Sequence, residues 1–317
     1  ALTDENVLYG AVEFYNAAKK AGIKPILGLR LVVALNETDG TKLDLVFLAK
    51  NQRGYQHLMD LSTLQQTRKD KKIPLTIAQI SSLLGELFII IPLQSTVFSI
   101  LAQPTSILTE LANLGDDDSV LLGVNSRLDD VQIDTLQQLS KQLSLPLVGT
   151  SPVDYLNAND LFASRVLQAI DAGVELKDPT IEARRRGQHY LHSKEQIIQD
   201  YNAKGLSAAA QKTVEVAALC NVELQFRAPV LPHFKNQAGI PSQQYLRSLC
   251  IQGLKKRRVA PGKTIQQYQE RLAMELKVIH EMGFDDYFLI VWDVMNFAHQ
   301  QKITTDPGRG SAAGSLV

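Results

Sequence analysis

Blocks of apolar residues alternate with polar segments along the first 150 residues, in an order that predicts strands followed by helices. Short apolar, β-branched runs predict strands over residues 26–34, 43–49, 87–92, 119–124 and 146–149. Apolar residues at helical spacing predict helices over residues 10–21, 55–66, 106–114 and 131–143. Repeated units of about 25–35 residues favour parallel strands, and therefore an α/β barrel or a doubly wound sheet. Functional side chains of such folds follow the carboxyl ends of strands.

The pattern becomes mainly helical towards the end of the chain. Helical periods extend over residues 207–220, 243–258, 264–282 and 284–299. Between the first and second of these lies a segment with prolines at positions 229 and 232, which predicts an extended crossing between domains. We therefore expect two domains, residues 1–225 and residues 226–317.

Charge changes at the same boundary. Residues 226–317 carry 12 Lys/Arg and 7 Asp/Glu, whereas residues 1–225 carry 21 and 26. The whole chain has 33 Lys/Arg and 33 Asp/Glu residues, so its net charge does not indicate that it binds nucleic acid. With 45% apolar and 21% charged residues, the composition is that of a globular protein and excludes a disordered tail, a collagen-like fibre and a disulfide scaffold.

The cysteine content and the hydropathy further limit the class of protein to which the chain can belong. The two cysteines, Cys220 and Cys250, are typical of a reduced cytoplasmic protein with small buried thiols. The longest apolar runs are far shorter than the roughly 20 residues that span a bilayer, so we expect no membrane partner.

The chain begins at Ala1 without a Met or a signal-peptide pattern and ends at Val317 directly after a Gly/Ser-rich turn. We expect it to be a fragment of a longer protein.

The most informative local motif is Pro307-Gly-Arg-Gly-Ser-Ala-Ala-Gly-Ser315, called here the Gly/Ser motif. Glycines lack a Cβ, so their backbone amides can close on a phosphate, and serine and arginine side chains add donors. The motif lacks the Lys of a P-loop and the spacing of a dinucleotide fingerprint. It is either a structural turn or a triphosphate site. The candidate nucleotide-binding residues are Gly308, Arg309, Gly310, Ser311, Gly314 and Ser315.

Two segments near the carboxyl end carry a family resemblance. Gly283-Phe-Asp-Asp-Tyr-Phe-Leu-Ile-Val-Trp-Asp293, followed by the Gly/Ser motif and Leu316-Val317, resembles the start of the palm domain of bacterial replicative DNA polymerase III alpha subunits, the C-family polymerases. That palm belongs to the polymerase-beta-like nucleotidyltransferases, and its Gly-Ser motif contacts the triphosphate of the incoming nucleotide. The resemblance therefore implies this role for Gly310 and Ser311, with Arg309 nearby.

The amino-terminal part is similar to the PHP (polymerase and histidinol phosphatase) domain of the same family. The similarity lies in Leu2-Thr3-Asp4, Tyr9-Gly-Ala-Val-Glu-Phe-Tyr15, Ala21-Gly-Ile-Lys-Pro-Ile-Leu-Gly28, Leu48-Ala-Lys-Asn-Gln-Arg-Gly-Tyr55 and Cys220-Asn-Val-Glu-Leu224. The resemblance covers essentially the whole chain in order. It implies an α/β fold: a PHP-type (β/α) barrel lacking its first strand, then the mainly helical start of a palm.

The resemblance also implies what the intact protein does. It would catalyse template-directed transfer of deoxynucleotides to a DNA primer, using Mg²⁺ held by aspartates in a Pro-Asp-Phe-Asp-x-Asp-type strand downstream of the Gly/Ser motif. That strand would follow Val317, so we assign no catalytic residue, expect no bound cofactor here and expect the fragment alone to be inactive. Expected partners of the whole protein are the primer-template, deoxynucleoside triphosphates, a clamp and a proofreading subunit.

The PHP metal site is degenerate in this sequence. PHP domains bind metals through histidines and carboxylates, but by the resemblance Glu5 replaces a histidine, Arg30 replaces a ligand glutamate and Asp44 replaces another histidine. Asp4 is kept, and Asp154 stands where a further histidine belongs. An arginine at a ligand position opposes cation binding, so we predict no metal ligands. Of the six histidines, only His189 and His192 are close in sequence, and on an extended segment they face opposite sides.

Two interpretations of the degenerate site stay open. Asp4, Glu5, Asp44 and Asp154 would repel one another at the former metal site, where Arg30 would act as the substitute cation in an ion-pair network. In the other interpretation, these residues are simply exposed.

Two alternative functions also stay open. One is a metal-dependent PHP phosphoesterase or exonuclease, and the other is a non-catalytic scaffold that supports the palm or docks a replisome partner. The basic run 255–258 is consistent with either a helix terminus that its cations stabilise or a contact to DNA phosphates.

Overall fold

The chain divides into two compact units, Ala1–Gln225 and Phe226–Val317. The computed structural model describes residues 1–35, 42–92, 118–183, 189–226, 230–236, 239–306 and 314–317. The predicted helix over residues 106–114 lies outside the described residues. The boundary between the units falls at the change in charge and periodicity noted above.

The first unit combines strands and helices along the chain. Its strands are β1 (Gly28–Ala34), β2 (Lys42–Ala49), β3 (Leu75–Thr76), β4 (Leu87–Pro92), β5 (Val120–Val124) and β6 (Leu147–Gly149). Its helices are α1 (Ala11–Lys20), α2 (Gln52–Gln66), α3 (Ile77–Ile80), α4 (Asp130–Leu143), α5 (Leu161–Ala172), α6 (Pro179–Ala183), α7 (Lys194–Ala203) and α8 (Ser207–Leu219). The α/β class expected from the sequence is confirmed.

The described strands form one mixed sheet in the order β3-β1-β2-β4-β5-β6. Strands β4, β5 and β6 are parallel neighbours, and β3 is parallel to β1. The prediction of parallel strands is wrong for β1–β2 and β2–β4, which are antiparallel. The reason is the short connection between β1 and β2, since a parallel pair needs a crossover of about a dozen residues or more.

Both faces of the sheet are buried. In β4, Leu87, Ile89 and Ile91 point into the larger core with the apolar faces of α1, α2 and α4. Phe88 and Ile90 point into a second core on the other face, with Val216 and Cys220 at the end of α8. Burial on both sides explains why β4 is an uninterrupted apolar run rather than an alternating one.

The second unit is helical in its described residues. It contains α9 (Ser242–Lys256), α10 (Ile265–Glu281) and α11 (Asp285–Gln300), each within two residues of the predicted bounds. Leu246, Ile279 and Leu289, one from each helix, form its buried centre. Thr264 caps α10 through a capping box with Gln267, which explains where this helix begins.

Asp286 ties the segment before α9 to the first turn of α11. Its carboxylate accepts hydrogen bonds from Ser242 Oγ (2.5 Å), the Phe234 N–H (3.0 Å) and His233 Nδ1 (3.0 Å). Burial by itself would raise the pKa of this carboxyl, but the three hydrogen bonds outweigh burial and leave the pKa below its ordinary value of 3.8.

This geometry predicts acid-sensitive stability of the second unit. The pKa of the Asp286 carboxyl is lower in the folded state than in the unfolded state. Ionised Asp286 therefore makes its full contribution to the free energy of unfolding above pH 3.8, and this contribution is lost as pH falls through the folded-state pKa. We expect Asp286→Asn to cost about 1–2 kcal/mol near neutral pH and much less in acid. The single tryptophan, Trp292, lies on α11, so its fluorescence during urea unfolding reports this unit.

Asp293→Asn is the matched control, because Asp293 is an exposed residue of the same helix. It should leave stability within about 0.5 kcal/mol of the wild type. If Asp286→Asn lowered the free energy of unfolding by the same amount at pH 3 and at pH 7, the stabilisation would not depend on an ionised Asp286 carboxylate.

Candidate functional site

The degenerate PHP site is built on the first half of β1. Residues 2–6 run parallel to this strand: the Arg30 N–H donates to the Asp4 carbonyl at 3.0 Å, and the Asn6 N–H donates to the Arg30 carbonyl at 2.9 Å. Glu5 thereby lies in register with Arg30. Local backbone pairing, rather than any side-chain contact, brings the amino-terminal acidic segment to the site.

Arg30 and Asp44 form the centre of the site. In the antiparallel register Arg30 lies opposite Val46 and Asp44 opposite Val32, so the pair is diagonal across β1 and β2. Arg30 Nε donates to Asp44 Oδ1 at 2.8 Å, and Arg30 Nη2 donates to Asp44 Oδ2 at 2.5 Å. The side chains are 39% and 23% exposed, so this bidentate ion pair is partly buried.

Two further carboxylates act on the same guanidinium. The hydrogen bonds to Asp44 raise the pKa of Arg30, burial opposes them, and the charges of Asp44, Glu5 and Asp154 raise it further. Arg30 therefore stays a cation among three anions. The structure places Arg30 with Glu5, Asp44 and Asp154.

Asp4 is placed differently from the other acidic residues. It contributes its backbone carbonyl to Arg30, while its Oδ2 lies 3.5 Å from the position that a Cβ on Gly10 would take. Its carboxylate is not among the charges that raise the pKa of Arg30. Asp4 thus contacts Arg30 through its backbone, and a role for its carboxylate in the ion-pair network stays a prediction.

His189 is a neighbour of this site that the sequence does not reveal. Its Nδ1 lies 2.6 Å from Asp154 Oδ2, and its backbone carbonyl accepts the Asp154 N–H at 2.8 Å. His192 instead lies 3.1 Å from Arg127 Nη2 and stacks on Tyr190. His189 thus contacts a carboxylate of the degenerate site, whereas the described partners of His192 include Arg127 and Tyr190. No sequence signal links His189 to Asp154, which lies 35 residues away.

The residues of this site do not fit the metal centre of a PHP domain. A divalent cation at Asp44 would lie beside the Arg30 guanidinium, which donates to both carboxylate oxygens and repels a second cation because it carries a permanent positive charge. Within the described ranges, no group of three or more His, Cys, Asp and Glu side chains could hold a metal ion. We derive no metal-dependent step at this site.

Most of the Gly/Ser motif lies outside the described residues. Gly308, Arg309, Gly310 and Ser311 are in this category, whereas Gly314 and Ser315 are described. Before the motif, Thr305 Oγ1 lies 3.2 Å from His299 Nε2 at the end of α11. After the motif, Val317 packs against the buried centre of the second unit.

Glu275 holds the end of the motif from the middle of α10. Its Oε2 accepts hydrogen bonds from the Ser315 hydroxyl at 2.7 Å and the Leu316 N–H at 2.7 Å, while its Oε1 accepts one from Arg271 Nε at 2.5 Å. Burial would raise the pKa of Glu275, but the hydrogen bonds from Arg271, Ser315 and Leu316 outweigh it and lower the pKa. The sequence shows only an ordinary helical Arg–Glu pair here, so this contact could not be anticipated.

The basic run follows the carboxyl end of α9, which ends at Lys256. Lys255 and Lys256 lie in the last helical turn, where cations complement the helix dipole. This placement suits the structural interpretation, and a contact to DNA phosphates stays a prediction. None of the helices in the described part of the chain is long and apolar enough to span a membrane.

Comparison with known proteins gives the same order of units. Residues 1–123 match the family model described as "PHP domain", and residues 244–317 match that described as "Bacterial DNA polymerase III alpha NTPase domain". The chain is 36% identical to DNA polymerase III subunit alpha of Halalkalibacterium halodurans, 34% to that of Bacillus subtilis and 30% to that of Pseudomonas aeruginosa. Each alignment covers 100% of this chain and 28% of the relative. The chain therefore belongs to the family of bacterial DNA polymerase III alpha subunits and spans 28% of the length of these relatives.

Proposed function

We propose that the whole protein containing this chain is a replicative DNA polymerase that transfers deoxynucleotides from their triphosphates to a primer on a DNA template. The observation that carries the proposal is the similarity over 100% of the chain to DNA polymerase III alpha subunits, with the two matched domains in the same order. The second unit would be the opening part of the palm.

In this proposal the Gly/Ser motif holds the triphosphate of the incoming nucleotide. Gly308, Gly310 and Gly314 would let backbone amides approach the phosphates, while Arg309 and Ser311 would add a cation and a hydroxyl. Mg²⁺ would be held by carboxylates outside these 317 residues, so no described residue receives a catalytic role. The proposed partners are a primer-template, a sliding clamp, a proofreading subunit and other replisome subunits, and the proposed location is the cytoplasm.

The first unit would serve as a scaffold rather than a second enzyme. The bidentate pair between Arg30 and Asp44 supports this role, because it places a permanent cation where a metal-dependent phosphoesterase needs its metal. The site would then connect β1, β2 and the loop that carries Asp154.

The test is primer extension by the full-length protein on a defined template, with one deoxynucleotide supplied at a time. We expect extension only by the nucleotide that the template specifies, and none from the 317-residue chain alone. Absence of template-directed extension by the full-length protein would overturn the proposal.

A substitution in the Gly/Ser motif tests its part in nucleotide binding. Arg309→Ala should raise the KM for the nucleotide by about 10-fold, because it removes one charge-assisted contact to a phosphate. Arg257→Ala, in the exposed basic run, is the control and should leave that KM unchanged. Equal KM values for both variants would remove Arg309 from the proposed triphosphate site.

A further inference from the structure

We infer that Glu275 is a positioning residue for the Gly/Ser motif and that Ser315, the last residue of the motif, is its anchor rather than a ligand of the triphosphate. The inference rests on the proposed function, because it assigns roles within the same nucleotide-binding motif. It separates Ser315 from the other candidate nucleotide-binding residues.

The hydrogen bonds of Ser315 show why it is unsuited to bind a phosphate. A serine hydroxyl has one proton to donate, and Ser315 Oγ donates it to Glu275 Oε2 at 2.7 Å. The same oxygen accepts the Val317 N–H at 3.1 Å. With its proton committed, Ser315 could contact a phosphate oxygen only after leaving Glu275.

The charge of Glu275 adds a second argument. A phosphate at Ser315 Oγ would come close to the Glu275 carboxylate, and two anions repel most strongly where water is scarce. The Glu275 side chain is 10% exposed, so little water screens it. The nucleotide is therefore expected to bind upstream of Ser315.

Glu275 is well supported as an anchor. It is buried on α10, and Arg271 one turn earlier donates to its Oε1 at 2.5 Å and balances its charge. Its other oxygen holds two consecutive groups of the chain, the Ser315 hydroxyl and the Leu316 N–H. Val317 then packs against the buried centre of the unit. One helix thus fixes the carboxyl end of the Gly/Ser motif through polar and apolar contacts.

Glu275→Gln tests the anchor with little change in volume. Both carboxylate oxygens face donors, so the introduced amide must turn its NH₂ group towards one of those donors, whichever way it is oriented. In single-nucleotide extension by the full-length protein, we expect the KM for the nucleotide to rise by about 10-fold, as for loss of one charge-assisted hydrogen bond. We expect kcat to change by less than about twofold, since the motif binds the nucleotide without supplying a catalytic group.

Ser315→Ala and the double variant Glu275→Gln/Ser315→Ala show whether Ser315 is an anchor of the motif or a ligand of the triphosphate. If Ser315 acts only through Glu275, the double variant is no worse than the more affected single variant. If Ser315 binds the triphosphate directly, the two KM increases multiply, and the inference is overturned. Glu281→Gln is the matched control on α10, because Glu281 is exposed and lies 3.7 Å from Lys277.

The outcomes also separate this inference from the proposed function. If the wild type shows no template-directed extension, the proposed function fails and the inference fails with it. If the wild type extends primers and Glu275→Gln has the same KM as Glu281→Gln, only the inference fails. Should Glu275→Gln not fold, as judged by its thermal midpoint, Glu275→Asp replaces it in the same cycle, because it keeps the charge but withdraws it by one methylene.

Discussion

Arg30→Ala is expected to destabilise the first unit by about 2 kcal/mol. Removal of one partner costs about 3–5 kcal/mol for a fully buried ion pair and exposed pairs contribute about 0–1 kcal/mol. The Arg30 side chain is 39% exposed and that of Asp44 is 23% exposed, so solvent screening places the effect between these limits. The substitution also leaves three carboxylates facing one another without a cation.

Urea unfolding followed by circular dichroism measures this loss, while Trp292 fluorescence reports the second unit separately. The control is Arg53→Ala, which removes an exposed arginine at the start of α2 and should change stability by less than about 0.5 kcal/mol. In a double-mutant cycle with Asp44→Ala, the two losses should not add, since both remove one ion pair. An Arg30→Ala loss below about 0.5 kcal/mol would show that the site is an exposed cluster and not a structural network.

Gly54→Ala should be more damaging, at about 3 kcal/mol. Helix propensity alone favours alanine by about 1 kcal/mol, since Gly54 lies in α2. A Cβ at this position, however, would lie only 2.2 Å from the Glu86 carbonyl oxygen and 3.3 Å from Ala49 Cα. That carbonyl accepts the Lys50 N–H at 3.0 Å, so the backbone cannot move away without breaking a hydrogen bond. The steric cost therefore outweighs the gain in propensity.

Gly253→Ala is the matched substitution in a helix with open space. Nothing lies within 4 Å of a Cβ at Gly253, so the same change should stabilise the second unit by up to about 1 kcal/mol. Urea unfolding measures the free energy of unfolding of Gly54→Ala and of Gly253→Ala, each relative to the wild type. A Gly54→Ala protein as stable as the wild type would mean that α2 does not pack this closely against the chain before β4.

The sequence alone predicts the elements whose pattern is strong. The uninterrupted apolar run of β4 and the helical spacing of α1, α4 and α10 are visible without tertiary information. Four of the described α-helices, α3, α5, α6 and α7, have no counterpart among the predicted elements. Several large apolar residues of α5, including Phe162 and Ile170, are exposed, so the helix lacks a clean buried stripe.

The contacts of the two sites lie beyond any local pattern. The alternation of apolar residues is the same in parallel and antiparallel strands, so it does not give strand direction. The connection between β1 and β2, which is too short for a crossover, is the sequence feature that favours an antiparallel pair. Residue types did indicate that Arg30 opposes a metal ion and that glycines and serines suit a phosphate.

The α/β class, the main elements and the family resemblance could be predicted from the sequence, because these depend on local periodicity and on motif residues. Only the tertiary structure placed His189 against Asp154, 35 residues away, and Glu275 against Ser315, 40 residues away. Such contacts are decided by which elements pack together, and packing depends on the whole chain at once.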